Sequence, residues 1–114
     1  MRSGMIVERG DLLLIPFPFT DLSATKRRPV LALTQPDEHG DFTGLPVTSR
    51  PQHSRAIPLT PGDLASGSLP VASWIRFDRV VTLHSGLVIR SVARVSEPVI
   101  VEAVRRLCDH LGRG

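Results

Sequence analysis

Prolines and glycines interrupt this chain at short intervals, and their spacing constrains the fold more than any other feature. The 114 residues include ten prolines and nine glycines, so most uninterrupted stretches are too short for a long helix. Short apolar segments bounded by such residues are typical of strands in small β-rich domains. The length suits one compact domain, and we expect residues 1–114 to form it.

Six segments have the composition and length of strands: Asp11–Pro16, Pro29–Thr34, Thr43–Ser49, Ala56–Leu59, Trp74–Leu83 and Leu87–Arg94. Residues 30–34 are continuously apolar except at their end, which is typical of a central strand covered on both faces. Val80 and Val81 break the alternation of the fifth segment, so we expect a bulge there. Residues 16–28, 50–55 and 60–72 are predicted to be loops.

One helix is predicted, at the C-terminus. Apolar residues at three- and four-residue spacing form a single stripe there: Ile100, Val104, Leu107, Cys108 and Leu111. Ser96 is a suitable N-cap and Gly112 a suitable end. We expect a mainly β fold, in which five to six strands form a partly open barrel with this helix laid across it. Cys108 is expected to be buried as a small apolar residue, not to act as a catalytic thiol.

Several classes of protein are excluded or disfavoured. A single cysteine forms no internal disulfide, and no apolar stretch is long enough to span a membrane. No secretory signal is evident, so we expect a cytoplasmic protein without a membrane partner. Neither a Gly-rich phosphate loop nor a nucleophile elbow occurs, and the four histidines lack metal-ligand spacing. The chemistry is therefore expected to need no metal and no cofactor.

The charge balance favours a nucleic-acid partner only weakly. The net charge is +3, and thirteen of the fourteen cations are arginine, whose planar fork suits phosphates and bases. Lys26, Arg27 and Arg28 stand directly before Pro29. They are interpreted either as a solvated charge run or as a phosphate-binding group in which Arg28 is held rigidly and its neighbours attract the polyanion.

Two further groups of polar residues are candidates for a site. Thr48, Ser49 and Arg50 combine two hydroxyls and a guanidinium at a predicted strand end, although a threonine in a strand is by itself ordinary. In the segment from Ser73 to Arg79, Trp74 is interpreted either as a base-stacking residue or as part of the core or an interface.

Taken together, five motifs resemble the MazF/PemK-like toxins of bacterial type II toxin–antitoxin systems. They are, in order, Met5–Asp11, Pro16–Ser23, Lys26–Val30, Val47–Arg50, and Gly67–Pro70 with Ser73 and Trp74. The match runs from about Met5 to Ser96, so residues 1–4 are interpreted as an extension. Two departures from the family pattern occur: Ala93–Ser96 replaces a sequence that often begins with glycine, and the connection from Pro36 to Asp41 is short.

The resemblance implies an SH3-like barrel, a homodimer, and a metal-independent endoribonuclease that cuts single-stranded RNA, often mRNA, at short sequences. Attack by the 2′-hydroxyl would leave a 2′,3′-cyclic phosphate and a 5′-hydroxyl, and an antitoxin would neutralise the protein. The family's catalytic arginine and threonine match Arg28 and Thr48. The alternative is a non-catalytic protein on the same barrel, either a CcdB-like gyrase poison or an inactive paralogue that binds RNA or antitoxin.

The assigned chemistry agrees with the residue types. Charge that develops on the phosphoryl oxygens is stabilised by a fixed cation and a hydrogen-bond donor, but arginine is a poor proton acceptor. His53 is the candidate acceptor, with Asp21 and Asp78 as weaker ones. The remaining candidate RNA-binding residues are Phe19, Thr20, Lys26, Arg27, Ser49, Arg50, Ser73 and Arg79.

Overall fold

The structure, a computed structural model, describes residues 6–18 and 25–112, and within them it contains eight strands and one α-helix. The strands are β1 (Asp11–Pro18), β2 (Thr25–Ala32), β3 (Asp41–Thr48), β4 (Ala56–Leu59), β5 (Leu64–Gly67), β6 (Ser73–Arg76), β7 (Val81–His84) and β8 (Arg90–Val95). The helix α1 (Glu97–Gly112) follows them, and 3-10 turns occur at Pro61–Asp63 and Ser85–Leu87. The mainly β class with a C-terminal helix is confirmed, with eight strands in the described part instead of five to six.

The strands form one curled antiparallel sheet in the order β4-β6-β3-β2-β1-β8-β5, and β7 adds to β3 outside this order. Strand β3 pairs with β2 along one edge and with two strands along the other, since its first half pairs with β7 and its end pairs with β6. The edge strands β4 and β5 approach each other around a cavity of about 460 Å³ that both Leu59 and Leu64 line. The sheet is therefore a partly open barrel.

Strand β2 begins earlier than predicted. Residues 25–28 belong to it because β1 extends to Pro18 and pairs with β2 over seven residues, down to Pro18 opposite Thr25. Lys26, Arg27 and Arg28 therefore lie inside a strand and not in the loop before one. Their side chains must alternate between the two faces of the sheet.

Two other predictions of local structure were wrong. The predicted loop 60–72 contains β5, which pairs with β8 from Leu64 to Gly67. The single long strand predicted over 74–83 is two strands, since β6 ends at Arg76 and β7 starts at Val81. The break at Val80 and Val81 marks this interruption, not a bulge, because the chain turns after β6 to reach the other half of β3.

Two apolar clusters lie on opposite faces of the sheet. The first includes Leu12, Leu31 and Val47 and packs under α1. The second includes Leu13 and Val30 on the other face. Successive residues of β1 and β2 thus enter different clusters. The prediction that residues 30–34 are covered on both faces is confirmed for residues 30–33, whereas Thr34 is exposed and lies outside β2.

The helix begins at Glu97, directly after Ser96, and ends at Gly112, as predicted. Its buried residues are Ile100, Ala103 and Leu107. Cys108 is exposed, so its predicted burial was wrong. The reason is that the face of α1 that packs on the sheet carries residues 100, 103 and 107. Cys108 and Leu111 lie on the adjacent face of the helix, which is exposed. No helix in residues 6–18 and 25–112 is long and apolar enough to cross a membrane.

Candidate active site at the ends of β2 and β3

Arg28 and Thr48 lie next to the point where the pairing of β2 with β3 ends, Arg28 within β2 and Thr48 as the last residue of β3. Strands β2 and β3 pair in the register Val30 opposite Pro46, Leu31 opposite Leu45 and Ala32 opposite Gly44. Continuing this register by two residues sets Arg28 opposite Thr48. Directly opposite residues of an antiparallel pair have Cβ atoms about 4.5–5.5 Å apart and point to the same face. The two side chains therefore belong to one surface.

Pro29 explains why the paired ladder stops short of this point. A proline has no N–H, so β2 cannot donate the next hydrogen bond to β3 beyond Val30. Arg28 remains held by β1, where it lies opposite Ile15. Its side chain is half-buried and its Nε is enclosed by protein. The guanidinium is thus held on a strand that β1 pairs with, next to the section of β3 that lies beyond its pairing with β2.

The Thr48 hydroxyl has a defined orientation. Its Oγ1 accepts a hydrogen bond of 3.1 Å from the backbone N–H of Arg50, in the turn that follows β3. A hydroxyl accepts and donates at once, so this contact leaves the O–H hydrogen able to donate in another direction. Thr48 also lies opposite Trp74 of β6, which keeps it inside the sheet. The geometry suits a fixed hydrogen-bond donor.

The next residues on each strand face the other way and line a cavity of about 340 Å³. Its walls combine cations, hydroxyls and apolar groups: Leu14, Arg27, Arg28, Pro29, Val47, Ser49, Leu69, Pro70, Val71, Ser73, Arg90 and Val92. Three of these residues are arginines and none is acidic. The cavity is therefore a positively charged concavity beside the surface that carries Thr48, and Arg28 borders both.

The structure brings some of the predicted site residues together and separates others. Arg27, Arg28, Ser49 and Ser73 line the cavity. Thr48 lies between the lining residues Val47 and Ser49, on the opposite face. Phe19, Thr20 and Asp21 lie outside the described residues, and so does the side chain of Lys26, whose backbone belongs to β2.

The remaining candidates are on exposed connections. Arg50 and His53 are in the polar turn between β3 and β4, close in sequence to Thr48. Arg79 is exposed between β6 and β7, past the end of β6 that is remote from Ser73. Arg76 donates two hydrogen bonds to the Asp78 carboxylate, and these lower the pKa of Asp78. Asp78 is therefore a weaker proton acceptor than an ordinary aspartate.

Sequence reasoning missed Arg90 and the wall formed by Leu69, Pro70 and Val71. Arg90 is the first residue of β8 and lies opposite Leu14. The sequence predicts it in the interior of a strand over Leu87–Arg94, where nothing marks it as part of a site. The wall follows β5, which was predicted as loop. A usable signal is the motif Gly67–Pro70 itself, because its proline restricts the backbone of the segment that follows β5. Among the described residues, no group of three or more His, Cys, Asp or Glu is placed to hold a metal ion.

A small curled barrel with one C-terminal helix is also the fold of solved MazF structures. The profile of the PemK-like, MazF-like toxins of type II toxin–antitoxin systems matches residues 8–111. The chain therefore belongs to this family of type II toxins, which confirms the resemblance inferred from its motifs. Comparison with curated protein sequences gives no match.

Solved structures of similar fold include MazF chains and a mycobacterial endoribonuclease. The MazF chain of a MazE–MazF crystal structure from Deinococcus radiodurans has a TM-score of 0.79 at 22% identity, covering 96% of this chain and 99% of that one. MazF alone from the same organism has a TM-score of 0.75 at 23% identity, with 95% and 98% covered. An endoribonuclease in complex with its cognate antitoxin from a mycobacterial species has a TM-score of 0.73 at 14% identity, with 93% and 95% covered.

Proposed function

We propose that this toxin is an endoribonuclease that cuts single-stranded RNA, mRNA above all, at short sequences in the cytoplasm. The observation that carries the proposal is the pairing of β2 with β3, whose register, continued two residues past Val30 and Pro46, brings Arg28 opposite Thr48. An arginine and a hydroxyl on one face are the two donors that a phosphodiester in reaction needs. The arginine-lined cavity on the other face, which Arg28 also borders, adds positive charge that attracts a polyanionic strand to this part of the sheet.

In the proposed reaction the 2′-oxygen of a ribose forms a bond to the adjacent phosphorus, and the bond from phosphorus to the 5′-oxygen breaks. The 2′-hydroxyl loses a proton and the departing 5′-oxygen gains one, so the products are a 2′,3′-cyclic phosphate and a 5′-hydroxyl. Arg28 neutralises charge on the phosphoryl oxygens, and the Thr48 hydroxyl donates a hydrogen bond to one of them. The attacking group belongs to the substrate, so DNA is bound without being cut.

The proton acceptor is assigned to His53, five residues after Thr48 in the exposed turn. An imidazole has an intrinsic pKa suited to taking a proton near neutral pH. This turn starts at Ser49, directly after Thr48, and Gln52 holds it by a hydrogen bond of 3.0 Å from its side-chain amide to the Arg50 carbonyl. His53 therefore lies in a short connection that has an internal hydrogen bond. The reaction so described uses no metal and no cofactor.

The protein partners proposed are a cognate antitoxin and a second copy of the chain. Two of the similar structures are complexes with an antitoxin, which supports the first. The second is supported by exposed apolar side chains around the second cluster: Ile6, Val80, Leu87 and Ile89 are 77%, 43%, 45% and 39% exposed. Val7, Val81 and Val88, next to them in sequence, pack on that cluster. A second copy would cover these side chains.

The nuclease proposal is tested with purified protein and end-labelled single-stranded RNA in the presence of EDTA. We expect cleavage to fragments ending in a 2′,3′-cyclic phosphate, with the rate lowered about 10²–10³-fold by either Arg28→Ala or Thr48→Ala. The matched control is Arg105→Ala, because Arg105 is an exposed arginine of α1 paired with Glu102 and Asp109. This control should cut like the parent protein.

Full activity in both site variants would refute the roles of Arg28 and Thr48. Binding of RNA without cleavage by the parent protein would favour the inactive paralogue. Circular dichroism of each variant separates loss of chemistry from loss of fold. The same assay, run across a pH series with His53→Ala, tests the proton acceptor. A pH profile of cleavage identical to that of the parent protein would mean that water, and not His53, accepts the proton.

A further inference from the structure

Trp74 occupies a position that the proposed chemistry has not used. It lies directly opposite Thr48 in the pairing of β3 with β6, and opposite Pro58 in the pairing of β6 with β4. Since opposite residues share a face, Arg28, Thr48, Trp74 and Pro58 form one row across four neighbouring strands. Trp74 is only partly buried within this row, so part of its side chain is accessible.

The spacing of this row matches the size of a nucleotide. Neighbouring strands are about 4.8 Å apart, so Trp74 is one strand from Thr48 and about 10 Å from Arg28. A phosphate held between Arg28 and Thr48 carries a sugar and a base that extend over roughly that distance. The indole is thus within reach of the base attached next to the reacting phosphate.

The strand around Trp74 holds it rigidly. Ser73, Ile75 and Phe77 alternate with it and are buried on the other face of the sheet. Arg76, on the same face as Trp74, is fixed by two hydrogen bonds to Asp78 of 3.0 and 2.9 Å. A large aromatic ring on a strand fixed in this way loses little conformational entropy when a ligand stacks on it.

We propose that Trp74 is a base-stacking platform that receives the nucleobase adjacent to the scissile phosphate, an inference that rests on the proposed RNA-cleaving function. The faces of a base are accessible only in an unpaired strand, because in a duplex neighbouring base pairs cover them. The same row of residues would therefore bind the phosphate and select single-stranded substrate. An indole accepts any base, so sequence preference arises from other groups.

The chain provides a direct probe, since Trp74 is its only tryptophan and it has no tyrosine. We expect the intrinsic fluorescence of the unmodified protein to be quenched on titration with a single-stranded 2′-deoxy oligonucleotide of about eight residues, which the enzyme cannot cut. An abasic strand of the same length, which has the same phosphates but no bases, should bind more weakly and cause little quenching. Fluorescence anisotropy of a labelled strand measures binding independently.

Variants separate stacking from a structural role. Trp74→Ala should weaken binding of the deoxy strand about 5- to 150-fold, whereas Trp74→Phe, which keeps an aromatic face, should stay within about 5-fold of the parent. Phe77→Leu is the matched control, because Phe77 is buried on the opposite face, and it should leave affinity unchanged. In Trp74→Ala, the affinities for the base-containing and the abasic strand should be equal.

The outcomes distinguish this inference from the proposed function. Binding and cleavage of RNA without fluorescence quenching, or equal affinity for base-containing and abasic strands, would overturn the stacking role and leave the nuclease intact. Failure of the parent protein to bind any strand or cut RNA would overturn both. Quenching confined to the base-containing strand, with loss in Trp74→Ala and retention in Trp74→Phe, would establish the platform.

Discussion

Arg76 and Asp78 form an ion pair within one turn at the end of β6. Their side chains are only 20% and 11% exposed, and two hydrogen bonds join them. The hydrogen bonds from Arg76 hold the pKa of the Asp78 carboxyl below its ordinary value of 3.8. A pair this enclosed is screened less by water than a surface pair and fixes the direction in which the chain leaves β6.

The pH dependence of stability follows from that depressed pKa. Because the folded protein binds this proton less readily than the unfolded chain, the stabilisation is present above the ordinary pKa and is lost as pH falls through the folded value. We expect Asp78→Asn to lower the free energy of unfolding by about 1–3 kcal/mol near neutral pH and to differ much less from the parent near pH 2. Urea unfolding followed by circular dichroism across this range measures it.

Arg76→Gln is the companion variant, since it removes the cause of the depressed pKa and leaves the carboxyl in place. It should reproduce the loss near neutral pH. A stability difference between Asp78→Asn and the parent that is independent of pH would show that the ion pair does not control this titration.

At the residue scale, the sequence proposes the chemistry but does not fix the environment of each side chain. Arg28 and Thr48 are proposed from residue type and motif order, because a phosphodiester in reaction needs a cation and a hydrogen-bond donor whatever the fold. The exposure of Cys108 was not predictable, since the spacing of apolar residues on α1 allows two adjacent lines and only packing on the sheet decides between them. Arg90 was missed because its position depends on the pairing of β8 with β1.

At the scale of elements, strand β5 depends on one glycine. Gly67 has a φ of +75°, and a Cβ at this position would come within 2.5 Å of the Val92 carbonyl oxygen and 2.6 Å of the Ala93 Cα. Both atoms belong to the backbone of β8 and cannot move away cheaply. The short distance between β5 and β8 therefore requires a residue without a side chain.

Gly67→Ala should accordingly destabilise the protein by about 1–3 kcal/mol, through both the unfavourable φ and the clash with β8. Gly62→Ala is the matched control, because a Cβ there meets only the Thr60 hydroxyl at 3.8 Å and the backbone is not left-handed. Thermal and urea unfolding of both variants compare them. Equal stability of the two variants would contradict the tight pairing of β5 with β8.

The elements that sequence reasoning placed correctly are those whose pattern is decided locally. Residues 30–33 and the helix from Glu97 have continuous apolar or helical periodicity, so their neighbours add little information. Strand β5 has the sequence Leu-Ala-Ser-Gly, which lacks β-branched residues and becomes a strand only because β8 provides hydrogen bonds. The separation of β6 from β7 likewise depends on β3, because each of the two strands pairs with a different half of it. The sequence of residues 74–83 alone does not show this pairing.

For the whole molecule, self-association is the property that the exposed apolar side chains predict. Leu87 and Ile89 lie on the connection from β7 to β8, which is bonded to β1 through the Ile89 N–H and the Leu14 carbonyl at 2.8 Å. Because this connection is held rigidly, its apolar side chains form a fixed patch. A stable dimer covers roughly 800 Å² on each partner, and a charge in the centre of such a patch is strongly unfavourable.

Leu87→Asp should therefore convert a dimer of the parent protein into a monomer, as measured by light scattering coupled to size-exclusion chromatography. Leu111→Asp is the control, since Leu111 is 63% exposed on α1, on the far side of the sheet from the second cluster. It should leave the dimer intact. A parent protein that is monomeric at high micromolar concentration, or a dimer unaffected by Leu87→Asp, would remove this interface.

Pro29 has a consequence for the hydrogen bonding of the proposed site. An amide at that place would let β2 donate the next hydrogen bond to β3 and continue the ladder toward Arg28 and Thr48. Proline withholds that bond, while β1 still pairs with β2 on its other edge. A residue that usually weakens a strand thereby leaves the end of β3 without a hydrogen bond from β2, so a ligand that approached Thr48 there would not have to displace one.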